Sequence, residues 1–383
     1  MNTETKVFLK KRFKDYYWNH SVSAPREVHR REFGVGTLED KIKFRHKAFA
    51  TERELNQYLK TEAPYYISYS TAYYEYPSQP MADKCWRGAD LVFDLDKPME
   101  LLNGKHLEEV KAEAGNLLAF LEDDFGFDRK DISVNFSGSK GYHIHVGSDD
   151  VKPLNTDARR EIVDYITGAG LDIEFFIRDD DSPSGIKYKA GRPKMIMSPV
   201  GVGPKRQDNG WAGRIFKTME GIVNSDEQTL RDRYGLSKLK VRGIVENREK
   251  YLDFLERGKW HREIIPKVLR DMVVKEFAVK DMEDTDKQVT ADISRLIRLP
   301  DTIHGGSGLL AKRVADLETF DPLTDAVAFA GGPVKAALTK DVGVFQLKGR
   351  DWGPYRSGEE AQMDEAAAVY LMLKDKAEHV AVK

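Results

Sequence analysis

The stretch GADLVFDLD, Gly88 to Asp96, sets three carboxylates into a short apolar run. Carboxylates are costly to bury, so this pattern needs a reason. In a strand, successive side chains point to opposite faces. Leu91, Phe93 and Leu95 then enter a core, while Asp90, Val92, Asp94 and Asp96 share the other face. Asp94 and Asp96 would stand roughly 7 Å apart, from a rise of about 3.3 Å per residue. Two like charges so placed repel unless a cation sits between them. A hard divalent ion such as Mg²⁺ takes oxygen ligands, a few from protein and the rest from phosphates and water. Two such ions suit phosphoryl transfer. The same acids also fit an edge strand that faces solvent, and a metal-dependent glycosyltransferase or a phosphatase would use a similar pair.

A second group is FSGSKGYHIHV, Phe136 to Val146. Ile132, Val134 and Phe136 alternate with Ser133, Asn135 and Ser137, and His143 and His145 alternate with Ile144 and Val146. Two strands could each turn an apolar face inward. Gly138 and Gly141 in the intervening turn let backbone N–H groups approach an anion. Ser137 could donate a hydrogen bond, Lys140 supplies a mobile positive charge, and His143 could touch phosphate. Such a turn could cradle a triphosphate, although taken alone an ordinary hairpin with two satisfied histidines accounts for it better. A third group is DKQVTADISRLIRLPDTIHGGSGL, Asp286 to Leu309. Arg295 and Arg298 would be neighbours on a helix, with His304 following in a glycine-rich loop. An acid, two arginines and a histidine suit a metal plus phosphates, or a surface helix with ordinary charges.

The elements that must position these groups read as a mixed α/β, or α+β, body. Residues 5 to 20 form an amphipathic helix with Val7, Phe8, Phe13, Tyr16 and Tyr17 on one side. Residues 65 to 76 are aromatic and read as a strand with an irregular end. Residues 104 to 124 form a helix with Leu107, Val110, Ala114, Leu117, Leu118 and Leu121 on one face, and 156 to 168 form another. The segment from about 178 to 210 reads as loops. VTADISRLIRLP reads as a helix stopped by Pro300, and 358 to 379 as a C-terminal helix. The expected organisation is a catalytic α/β domain in two parts, 1–210 and 281–383. A charged helical subdomain, 211–280, is inserted between them.

Composition limits the partners. The chain has 383 residues, 40% hydrophobic and 32% charged, which is a globular balance. Its formal net charge of -2 means that any nucleic-acid surface must be local. Lys10, Lys11, Arg12, Lys14 and the Arg30/Arg31 pair are candidates, although a solvated helix face accounts for Lys10 to Lys14 as well. One cysteine, Cys85, leaves no disulfide framework and no zinc site built from several thiolates. No apolar run approaches the roughly 20 residues that span a bilayer. A cytoplasmic location, with no membrane association, is expected.

Taken together, these stretches resemble the small, catalytic subunit of archaeal and eukaryotic DNA primase, the archaeal form most closely. The resemblance runs from REFGVG (Arg31 to Gly36) through YSTAYYEYP, GADLVFDLD and SGSKGYHIHV to RLIRLPDTIHGGSGL, in the family's order. It implies a primase-type catalytic fold of β-sheets flanked by helices, with an inserted helical subdomain. It also implies primer synthesis from nucleoside triphosphates on single-stranded DNA with two Mg²⁺ or Mn²⁺ ions. Asp94, Asp96 and a third acid would be the catalytic metal ligands. Spacing back from His304 points to Asp286, with Asp284 and Asp292 as the other candidates. Ser137, Lys140 and His143 match the triphosphate-binding turn, and Arg298 and His304 a second phosphate-contacting segment. The turn commonly has Arg where this chain has Lys140, which keeps the charge and loses the bidentate fork. The family commonly has Lys at the position of Gly306, and Lys312 or Arg313 could compensate. The family's zinc knuckle has no cysteines here, so no structural zinc is expected. The implied partner is a large subunit with an iron–sulfur cluster, which one cysteine could not ligate in this chain. A primase–polymerase or end-joining polymerase that extends existing primers is the nearest alternative; a glycosyltransferase would leave the second and third groups unexplained.

Overall fold

The computed structural model of the chain describes every residue except 180–182, 190–191, 198–199, 263, 280–288 and 382–383. Of 179, 183–189 and 192–197 only the backbone is described. Helices and several small antiparallel sheets give a mixed α+β architecture. The chain divides into two compact units. One holds 1–115, 127–163 and 281–383, and the other 116–126 and 164–280.

Two four-stranded antiparallel sheets in the first unit carry the residues of interest. In the first sheet the strands β1 (Phe33–Gly36), β2 (Phe44–Lys47) and β3 (Tyr66–Ser70) lie beside a strand from far along the chain. In the second, β4 (Leu91–Asp96), β5 (Ile132–Phe136) and β6 (Gly141–Val146) do the same. The distant strands are β7 (Leu296–Arg298) and β8 (Arg313–Val314). The orders are β7–β3–β1–β2 and β8–β5–β6–β4.

Alternation along β4 sorts the side chains as the sequence implies. Leu91, Phe93 and Leu95 are fully buried, and so are Tyr142 and Ile144 beside them. On the other face the register sets Asp94 opposite His143, Asp96 opposite Gly141, and Asn135 opposite His143. A polar stripe thus crosses three strands behind an apolar sheet.

The expected helix over VTADISRLIRLP is confined, among the described residues, to 289–291. Leu296, Ile297 and Arg298 instead extend as β7 and pair with Ser70, Tyr69 and Ser68. A short apolar run fits either period, and the exposed edge of β3 decides. Two other expectations change. The stretch read as loops contains paired strands Pro183–Lys189 and Arg192–Met197, and Val200–Val202 bridges Arg178–Asp179 and Lys259–His261. The C-terminal helix is only Glu365–Leu373, between strands Glu360–Met363 and Ala377–His379 that both pair with Val334–Leu338.

The first helix, Thr3–Asn19, buries Leu9, Phe13, Tyr16 and Tyr17, whereas Val7 is exposed. Its start meets the last strand: Thr5 Oγ1 accepts from the His379 amide at 2.8 Å, and the Phe8 and His379 rings stack at 4.3 Å. In the second unit the helix Gly210–Asn224 buries Ile215, Phe216, Met219, Ile222 and Val223, a full stripe at helical spacing. No helix among the described residues is long and apolar enough to cross a membrane.

Candidate active site

Asp94 and Asp96 end β4 with their carboxylates on the polar stripe. Asp94 Oδ1 lies 3.4 Å from His143 Nε2. Burial raises the Asp94 carboxyl above its ordinary range, opposed by the Arg295 and Arg298 guanidiniums. Burial pushes His143 down to about 3, helped by the same two arginines. His143 is therefore a neutral imidazole at physiological pH, a hydrogen-bonding group rather than a counter-ion.

The turn between β5 and β6 is organised by Ser137. Its Oγ accepts from the amides of Ser139, Lys140 and Gly141 at 3.3, 3.3 and 3.2 Å. These amides are already committed, so the turn is not the open backbone cradle that its glycines suggest. The Ser137 hydroxyl keeps its proton to donate. Gly138 has φ +81°, and a Cβ there would lie 2.8 Å from His304 Cβ and 3.0 Å from the Ala311 amide. Only glycine fits both the backbone and the space. Ser307 Oγ donates to the Gly138 carbonyl, which ties the turn to the glycine-rich loop 169 residues away.

That loop fixes a tautomer. The Gly306 amide donates to His304 Nδ1 at 3.1 Å, so the ring proton resides on Nε2. Burial holds His304 well below its usual pKa, as do Arg298, Lys41 and Lys374 around it. Arg298, on β7, lies with its guanidinium 5.0 Å from the Tyr66 ring centroid. Its Nη1 is buried with no hydrogen-bond partner among the described residues. A buried guanidinium nitrogen in that condition calls for an anionic ligand.

One cleft of about 590 Å³ collects these groups. Asp94, Asp96, Ser137, Lys140, His143, Arg298 and His304 all line it. Asp286 and Asp284 lie outside the described residues. Asp292 does line the cleft, with Oδ1 accepting from the Ser294 amide and hydroxyl, both at 2.8 Å. Arg295 lines it as well, ahead of β7 rather than one helical turn from Arg298. Neither suggested substitute for the cation absent at Gly306 is there. Lys312 Nζ donates to the Asp325 carbonyl, and Arg313 faces Asp301 at 3.3 Å. Two lysines that sequence reasoning missed, Lys41 and Lys374, line the cleft instead. Both come from segments without a chemical pattern of their own.

The candidate template surface shrinks. Arg31 is buried, with Nη2 2.6 Å from Asp90 Oδ2. Lys10 donates to the carbonyls of Glu62 and Ala63, and Arg12 pairs with Glu365 at 2.5 Å. Lys11, Lys14 and Arg30 are what remains of the set, and Arg30 lies 3.4 Å from Glu27.

A protein-family model described as DNA primase small subunit matches residues 93–316. Full-length relatives agree. The DNA primase small subunit PriS of Methanothrix thermoacetophila is 37% identical over 99% of this chain and 100% of its own length. That of Methanosarcina barkeri is 38% identical over 99% of this chain and 98% of its own. The Haloarcula marismortui protein is 34% identical, with 99% of each chain covered.

Proposed function

The chain belongs to the DNA primase small subunit family, and from that premise we propose how its cleft works. It is a primase catalytic subunit, a nucleotidyltransferase that synthesises primers for DNA replication. Family membership brings with it a DNA template, divalent metal and a large-subunit partner.

In our reading Asp94 and Asp96 would hold two Mg²⁺ or Mn²⁺ ions. The donor set fits: two carboxylates on one strand face, oxygen ligands only, backed by a neutral imidazole. Bound there, such ions would lower the pKa of a primer 3′-hydroxyl and neutralise charge on the departing pyrophosphate. The incoming triphosphate would be gripped by donors that line the same cleft. Arg298 offers Nη1, Lys140 a mobile ammonium, Ser137 a hydroxyl proton, and His143 and His304 neutral N–H donors. A neutral donor is the appropriate choice here, because two more buried cations beside Arg298 would cost stability before nucleotide arrives. The template would be single-stranded, tracked through its phosphates with little base readout. The partner would be the iron–sulfur large subunit.

The observation that carries this reading is the convergence of three remote segments on one cleft, which holds both the paired acids and a guanidinium nitrogen without a partner among the described residues. The test is primer synthesis on single-stranded DNA by Asp94→Ala and Asp96→Ala. Each should lose at least about 10³-fold, as expected when groups central to electrostatic stabilisation are removed; near wild-type synthesis would overturn the assignment. Asp286 is proposed as the third metal acid. Asp286→Asn should then behave like Asp94→Asn while Asp292→Asn keeps most activity; the reverse result would transfer the role to Asp292.

A further inference from the structure

We propose that Lys374, at the C-terminal end of the helix Glu365–Leu373, is a phosphate-binding residue for the incoming nucleoside triphosphate, and that this helix completes the active site. The inference rests on the reading of the cleft as the triphosphate site.

Lys374 lines the same cleft as Lys140 and His304, although it lies beyond the residues matched by the family model. Packing puts it there. A Cβ on Gly308 would lie 2.9 Å from Val369 Cγ1 and 3.4 Å from Leu373 Cδ1, so the end of the helix rests directly on the loop that carries His304. The Lys374 amide donates to the Tyr370 carbonyl at 3.0 Å, and Nζ lies 5.6 Å from the Tyr370 ring centroid. Tyr370 is itself fixed, its hydroxyl accepting from the Leu102 amide at 3.0 Å. The side chain is thus aimed by a packed helix rather than left to a loop.

Charge supplies the second argument. No carboxylate pairs with Lys374 among the described residues. Its charged neighbours are cations, Lys140, Lys376 and Lys41, and with burial they lower its pKa. By contrast Lys376, two residues on, pairs with Glu100 at 3.1 Å. A half-buried ammonium facing other ammoniums is unfavourable until a polyanion arrives. A triphosphate would satisfy Lys374, Lys140 and Lys41, the three that line the cleft, at once. Lys374 also supplies a positive charge at the loop where position 306 is glycine.

The test is steady-state primer synthesis with Lys374→Ala, Lys374→Arg, Lys376→Ala and Lys140→Ala in the full chain. Lys374→Ala should raise KM for the nucleoside triphosphate roughly tenfold or more, the size of one lost charge-assisted hydrogen bond, with kcat and template affinity little changed. Lys374→Arg should restore most of the loss, and Lys376→Ala should stay at wild type. If Lys140→Ala raises KM while Lys374→Ala stays within twofold, the proposal for Lys374 is overturned and the triphosphate site stands. If neither variant moves KM, the triphosphate site itself has been misread and the proposal falls with it. An equal KM rise in Lys376→Ala would reduce Lys374 to a share in surface charge and also overturn it.

Discussion

Asp90 lies just before β4 and Asp94 within it, yet Asn at each should give opposite phenotypes. Asp90 is structural. Its Oδ2 accepts from Arg31 Nη2 at 2.6 Å and its Oδ1 from the Tyr73 hydroxyl at 2.7 Å. The Arg31 side chain is 1% exposed and that of Asp90 8%. Leaving one member of such a pair uncompensated costs about 3–5 kcal/mol. Arg31 keeps its bonds to the carbonyls of Ser70 and Thr71, and Asn retains one acceptor oxygen, so the loss should be nearer 2–3 kcal/mol. Among the described residues no cation hydrogen-bonds to Asp94, and burial raises its carboxyl above the ordinary range. Asp94→Asn removes a poorly solvated charge and should leave stability unchanged or improved. The assay is hydrogen exchange of the Leu91–Asp96 amides, read beside primer synthesis. Asp90→Asn should speed exchange roughly 30- to 150-fold, the equivalent of 2–3 kcal/mol, and keep synthesis within about tenfold at 25 °C. Asp94→Asn should leave exchange as it is and abolish synthesis. If Asp90→Asn exchanges within threefold of wild type, or if Asp94→Asn exchanges as fast as Asp90→Asn, the division into a structural and a catalytic acid is wrong.

Other consequences can be checked directly. Gly138→Ala meets both a left-handed backbone and a 2.8 Å approach to His304 Cβ, whereas Gly126 has φ +71° with nothing within 4 Å. Gly138→Ala should therefore lose about 2–3 kcal/mol and raise KM for triphosphate, and Gly126→Ala only about 1 kcal/mol with KM unchanged, by thermal melting and kinetics. Burial pushes His145 down to about 3 in the fold, against an unfolded value near 6.5. Below pH 6.5 the unfolded chain therefore binds a proton that the folded chain refuses. Stability should fall with falling pH by about 1.4 kcal/mol per unit for this histidine, down to pH 3. His145→Gln should flatten the urea midpoint-versus-pH curve over that window; an unaltered slope would count against a buried neutral imidazole.

The alternation of β4 and β6 is readable because a sheet with one apolar and one polar face writes period two into sequence; it puts Asp94 and Asp96 on one face of β4 and His143 on the polar face of β6. What local pattern could not supply was pairing over distance. RLIRLP becomes a strand because β3 offers an edge, and nothing within Arg295–Pro300 records that edge. The role of Asp90 depends on Arg31, which is 59 residues away. Lys41 and Lys374 reach the cleft through loop and helix packing, so their sequence context reads as ordinary surface charge. The sequence suggests Ser137 as a phosphate contact; that its Oγ holds three amides of its own turn leaves no mark in the sequence.

The union of Thr5 and Phe8 with His379 also sets an order of events in the cell. These partners are separated by 374 residues. At about 5–20 residues per second a ribosome needs roughly 20–75 s to make that interval. Throughout that time the first helix lacks the strand Ala377–His379, and Lys374 does not yet exist beside the loop that carries His304. Asp94, Asp96 and the serine turn are synthesised by residue 146, well before either closure. A nascent chain would thus carry Asp94 and Asp96 long before the cleft is complete, and Lys374 joins its lining only near the end of that interval. Non-local closure of this kind is slow to fold and exposed to misassembly while it waits.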